Sequence, residues 1–184
     1  MDSPNSTQES GSSKKIIAEA ILKHDSLLGV LMELEDTDAG KAIATKYFNG
    51  KGINDPSSHG LLPLIQMKTG VLLMFPYVSY LHRLWDSDLH CHNLPDDWKA
   101  KLDKGKKCSK LTGTAKAVAI VRHSIAHLLE GESGNTSKGD QAVNFDSLSF
   151  HADIGSITFQ EPEGYLGFFE WLRKTSRKRA SSDL

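Results

Sequence analysis

The chain has 184 residues, 39% of them hydrophobic and 24% charged, with a formal net charge of -1. That length and balance suit one globular domain with a real core and exclude global disorder, while the near-zero charge gives no indication for or against a nucleic-acid partner. The two cysteines, Cys91 and Cys108, are too few and too far from a CxxC spacing for a disulfide framework or a zinc knuckle, so both are expected as reduced thiols in a cytoplasmic protein.

Residues 1–13 are polar, lack the apolar run of a signal peptide and read as a flexible tail. From Lys14 to Glu35 the positions Ile16, Ile17, Ala20, Ile21, His24, Leu27, Leu28, Leu31 and Leu34 follow a helical period with one wide apolar stripe, and Ser13 is the expected N-cap. Asp36-Thr37-Asp38 ends that helix and caps a short second one through Ala42, Ile43 and Tyr47. Leu61 to Trp85 is almost continuously apolar, which predicts a buried helix kinked at Pro76. Its longest apolar stretch is too short to span a bilayer, so no membrane partner is expected.

Leu94-Pro95-Asp96-Asp97-Trp98 reads as a fresh helix start, followed by a lysine-rich run from Lys99 to Lys110. Ala115 to Leu129 predicts a strong helix, and the Gly- and Ser-rich stretch 132–140 a loop. Val143–Phe150 and Ser156–Phe159 alternate apolar with polar residues, as two strands of a small hairpin would. Pro162 opens a last helix on Tyr165, Phe168, Phe169 and Leu172, and 176–184 reads as a basic, polar tail. The expected fold is mainly α: one domain over 14–175, a helical bundle with a small β-hairpin inserted before the last helix.

The densest chemistry lies in Arg122-His123-Ser124-Ile125-Ala126-His127. His123 and His127 are four apart and share a helical face, with Arg122 at its edge. Such groups on an apolar helix need solvent, a partner or a cleft. Imidazole exchanges protons near neutral pH, and guanidinium matches phosphate with forked donors. Together they supply what metal-free transesterification of an RNA phosphodiester needs. The same spacing also fits capping, surface or interface residues.

Arg122-x4-His127 resembles the Arg-x(4–6)-His signature of the HEPN superfamily, a group of helical bundles carrying this motif on a late helix. His123 occupies the usually polar position after the arginine, and Ala126 matches the small residue of the Arg-Asn-x-x-Ala-His form. The strand pair after the motif helix also resembles one bacterial branch. Leu128-Leu129 stands where many members have Gly or a polar residue, and no tyrosine lies two positions after His127, so the form of nucleotidyltransferase-paired toxins is absent.

The resemblance implies a metal-independent endoribonuclease, a toxin or defence effector. In it His127 would act as general base on the ribose 2′-hydroxyl, and Arg122 would stabilise the phosphate. His123 would orient the phosphate or share proton transfer. A 2′,3′-cyclic phosphate and a 5′-hydroxyl would result. It also implies a homodimer with a composite active site, RNA as partner, an antitoxin or other regulator, and no cofactor. A non-catalytic HEPN-like module that binds RNA or nucleotide, or only dimerises, stays open beside it, as does a helical partner-binding protein.

A solvated face is the default for lysine- and arginine-rich runs, but placement just before the motif helix and at the end of the last helix makes Lys104, Lys106, Lys107 and Lys110, and the basic stretch Arg173–Arg179, candidate RNA-backbone contacts. Asp88-Leu89-His90-Cys91-His92 brings two imidazoles and a thiol together, without the second ligand pair a metal site needs. No metal is therefore expected.

Overall fold

In a computed structural model, the described residues are 6–35, 37–49, 68–83, 93–107, 109–129, 143–144 and 147–184. They are mostly helical, with one small antiparallel sheet. The helices are α1 (Ser6–Glu35), α2 (Asp38–Asn49), α3 (Lys68–Arg83), α4 (Gly113–Leu129) and α5 (Pro162–Ser182). The strands are β1 (Ala100–Lys104), β2 (Val143–Asn144), β3 (Ser149–Ala152) and β4 (Gly155–Phe159). No helix among the described residues is long and apolar enough to cross a membrane.

The chain divides into two compact units, Met1–Gly70 with Arg173–Leu184, and Val71–Leu172. In the first, α1 buries Ala18, Ile21, Asp25 and Leu28, one face at helical spacing. Asp25 accepts a 2.9 Å bond from Arg173 Nε and lies 3.7 Å from Arg177 Nη1. The Thr37 hydroxyl accepts from the Gly40 amide at 3.0 Å and lies 2.7 Å from the Leu34 carbonyl, closing α1 and opening α2 together. A Cβ on Gly40 would collide with that same carbonyl, so the tight turn requires glycine.

The second unit is built on the sheet, in the order β1-β4-β3-β2. Ile157 and Phe159 on β4, Phe150 on β3 and Val143 on β2 are buried on one face. Tyr165 and Phe168 of α5 meet Phe159 there at 5.8 and 5.3 Å between ring centres. Trp98 packs edge-on to Phe168 at 4.9 Å, and Tyr77 of α3 meets Phe169 at 6.1 Å. The other face carries the polar residues Ser149, His151, Ser156 and Thr158, of which Ser149 is buried and the rest half-buried, so apolar and polar side chains alternate along the strands.

Four sequence-based expectations change. α1 begins at Ser6, which puts the expected N-cap Ser13 and the second half of the expected tail inside the helix. The expected helix at Asp96 is one 3₁₀ turn, Asp96–Trp98, ended by Lys99 in the left-handed region (φ 43°). The chain then enters β1, with Ala100 and Leu102 half-buried and Lys101 and Asp103 exposed, so the lysine run lies on a strand and turn.

The first hairpin strand is in fact two, β2 and β3, reversed by a turn in which Asn144 Oδ1 accepts from the Ser147 amide and Leu148 adopts φ 47°. Val143 pairs with Phe150 across that turn, and the reversal shows in the sequence only as a change of phase, Asp146 and Ser147 being polar in succession. Finally, residues 176–182 continue α5 rather than forming a tail, and Ser176 and Ala180 are buried. Helix over 68–83 agrees with the expectation for the apolar segment; the rest of 61–85 lies outside the described residues.

Candidate functional site

From Ala115 to Val121, α4 is buried at every position but Lys116, as befits the central helix of its unit. Its C-terminal half reaches the surface: Arg122, His123 and Ala126 are half-buried and His127 is exposed. The three side chains therefore emerge where the helix leaves the core, which is how an apolar helix accommodates them.

Ser124 points the other way and is fully buried. Its hydroxyl is 2.8 Å from the carbonyls of both Ile120 and His151, so its one proton is shared between its own helix and β3. His151 lies just past the last residue of β3 that β2 covers, where a strand carbonyl needs another donor. Replacing Ser124 with alanine is expected to cost about 1–3 kcal/mol, because a buried carbonyl loses its side-chain partner. Urea titration against wild type measures this.

Three groups from outside the Arg122–His127 segment join it: His82 and Asp153, which the sequence did not mark, and Lys107, one of the candidate RNA-backbone lysines. His82, near the end of α3, meets the His123 ring edge-on at 5.7 Å between centres. Asp153, in the β3–β4 turn, and Lys107, in the loop after β1, both act electrostatically on His123. Lys107 Nζ lies 2.7 Å from Asp153 Oδ2, and the Lys107 amide donates to the Asp153 carbonyl at 2.9 Å. A Cβ on Gly105 would strike the backbone of Asp153, Ile154 and Gly155, so glycine lets this loop close on the turn. In sequence, His82 stands beside Arg83 near the end of an apolar run, and only packing shows what it meets.

Burial lowers the pKa of His123, aided by Arg122, His127 and Lys107 and opposed by Asp153. Burial also pushes His82 down to about 4, with Arg122 and His123 adding to the shift. Near neutral pH both rings are thus uncharged beside a permanent guanidinium. Neutral imidazole can accept a proton, and the cationic neighbours that depress its basicity favour an anion at the same place.

This sets a pH dependence. In the unfolded chain His82 titrates near its ordinary 6.5, and in the folded chain near 4. Between those values only the unfolded state takes up the proton, so stability is full above pH 6.5 and falls as pH drops toward 4. His123 adds to the loss in the same direction. Solvent around the half-exposed rings reduces the His82 contribution to about 1 kcal/mol. His82→Gln is expected to lose less melting temperature than wild type on acidification through this window. Equal losses would show that His82 is not the titrating group.

The lysine candidates distribute unevenly. Lys104, Lys106, Lys107 and Lys110 are all exposed, and Lys107 is paired with Asp153 beside His123. Lys99 pairs with Glu161 and Lys101 with Asp103, so part of the run is balanced locally. Arg173, from the second basic stretch, is committed to buried Asp25. Asp88–His92 lies outside the described residues, and among the described ones no group of three or more His, Cys, Asp or Glu is placed to hold a metal ion. Comparison with protein-family models, curated proteins and solved structures found no match.

Proposed function

We propose that this chain is a metal-independent endoribonuclease of HEPN type, acting as a toxin or defence effector. The reading is carried by one observation: Arg122, His123 and His127 emerge together from the buried helix α4, with burial and cationic neighbours lowering the His123 pKa. In this scheme Arg122 binds the scissile phosphate and stabilises its transition-state charge. His127 takes the proton from the ribose 2′-hydroxyl, whose oxygen attacks phosphorus in line as the bond to the 5′-oxygen breaks. His123, neutral beside Arg122, orients the phosphate or shares the proton transfer. A homodimer with a composite site belongs to the same proposal.

The test is incubation of the purified chain with a structured RNA pool in EDTA, followed by end-group analysis. Fragments ending in 2′,3′-cyclic phosphate and 5′-hydroxyl are expected. Binding of RNA or nucleotide without cleavage would instead identify a non-catalytic HEPN-like module.

A further inference from the structure

Helix α1 has a second face that its own unit does not bury. Beside Ala18, Ile21, Asp25 and Leu28, and centred about 110° round the helix from them, the residues Ile17, Ala20, His24, Leu27, Leu31 and Leu34 succeed one another at alternating spacings of three and four, with Ile17 and His24 half-buried and the other four exposed. That is the a/d repeat of a helix that packs along another helix. Leu27 is 61% exposed, Leu31 42% and Leu34 39%, and Ile16 (63%) and Val30 (53%) flank them. Most of the large exposed apolar side chains among the described residues thus fall on this one helix. A contiguous apolar stripe of this kind marks an association surface.

The charges on α1 say what fits it. Residues 14–24 carry Lys14, Lys15 and Lys23 against Glu19 alone, whereas 26–35 carry only the acids Glu33 and Glu35. A parallel neighbour of the same sequence would set like ends together. An antiparallel one sets the basic half of each helix beside the acidic half of the other. In that alignment Ile17 faces Leu34 of the second copy, Ala20 faces its Leu31 and His24 its Leu27. Ile17 and Leu34 then close the two ends as apolar pairs, and between them Leu31 meets Ala20 and Leu27 meets His24 along about 27 Å of helix. A surface that complements itself end for end closes on a two-fold axis.

We propose that α1 is the interface of an antiparallel homodimer, two copies of this chain packing along Ile17–Leu34. The proposal concerns α1 and does not depend on the ribonuclease reading.

Sedimentation equilibrium of the full chain, wild type against Leu27→Glu/Leu31→Glu, tests it. Both leucines are exposed, so the helical circular dichroism is expected to persist while the assembly mass falls to half. A wild-type monomer, as when the chain's own apolar segment 61–65 covers the stripe, overturns the proposal. So does an assembly that survives both substitutions. Orientation is tested by mixing Ala20→Cys and Leu31→Cys chains, each made without Cys91 and Cys108, under oxidation. Cross-links between unlike chains are expected, and Ala20→Cys chains joined to one another would overturn the antiparallel arrangement.

Discussion

Changing His127 to alanine is expected to slow single-turnover RNA cleavage by about 10²–10⁴-fold, the contribution of a positioned general base. His127 is exposed at the end of α4, so the melting temperature is expected to stay near wild type and the loss is chemical. Arg122→Ala is expected to cost about 10²–10³-fold through lost stabilisation of the phosphate charge. Arg122→Lys keeps the charge but not the forked donors, and is expected to recover only part of that loss. Because the two residues act on one transition state, the double variant falls little below the weaker single one. Cleavage at wild-type rate in both alanine variants would remove the proposed mechanism.

The largest effect on stability is expected from Asp25→Ala. The side chains of Asp25 and Arg173 are 7% and 14% exposed, and the carboxylate also faces Arg177. Its removal takes the Asp25 carboxylate from a nearly buried guanidinium, at a cost of about 3–5 kcal/mol. For a chain of this size that is a fall of roughly 6–20 °C in melting temperature, read by thermal circular dichroism. Arg173 Nη1 also lies 3.6 Å from Met32 Sδ, so its surroundings are partly apolar. Asp25→Ala/Arg173→Met is therefore expected to recover most of the loss. An unchanged melting point in Asp25→Ala would mean that water already solvates the pair.

The helices were readable wherever one face is apolar over several turns. α4 and α5 bury the apolar positions the pattern marks, but on α1 only Ile21 and Leu28 of the marked positions are buried, beside Ala18 and Asp25, which the pattern does not mark. β1 was not readable, because lysines dominate it and only Ala100 and Leu102 mark an inner face. The partner that makes it a strand lies in another part of the sequence. The site divides in the same way. Arg122, His123 and His127 stand out because they interrupt an apolar run on one helix. His82, Lys107 and Asp153 come from three other segments, and tertiary packing alone brings them to His123. The basic stretch at the C-terminus misled for the converse reason: Arg173 resembles a surface cation until Asp25, far away in sequence, is placed beside it.

The sheet order also determines when during synthesis this fold can be completed. β1 is an edge whose strand neighbour is β4, with Ala100 opposite Phe159 and Lys104 opposite Gly155. A nascent chain therefore carries β1 out of the ribosome, then all of α4, and then β2 and β3, before the strand that β1 needs exists. Closing so long a loop comes late and is slow compared with forming the helices. Until then the outer edge of β4 has not formed and Trp98 cannot meet Phe168. Chains stalled or truncated before Phe159 keep the motif helix but lack its finished support, and are the ones expected to aggregate or be degraded.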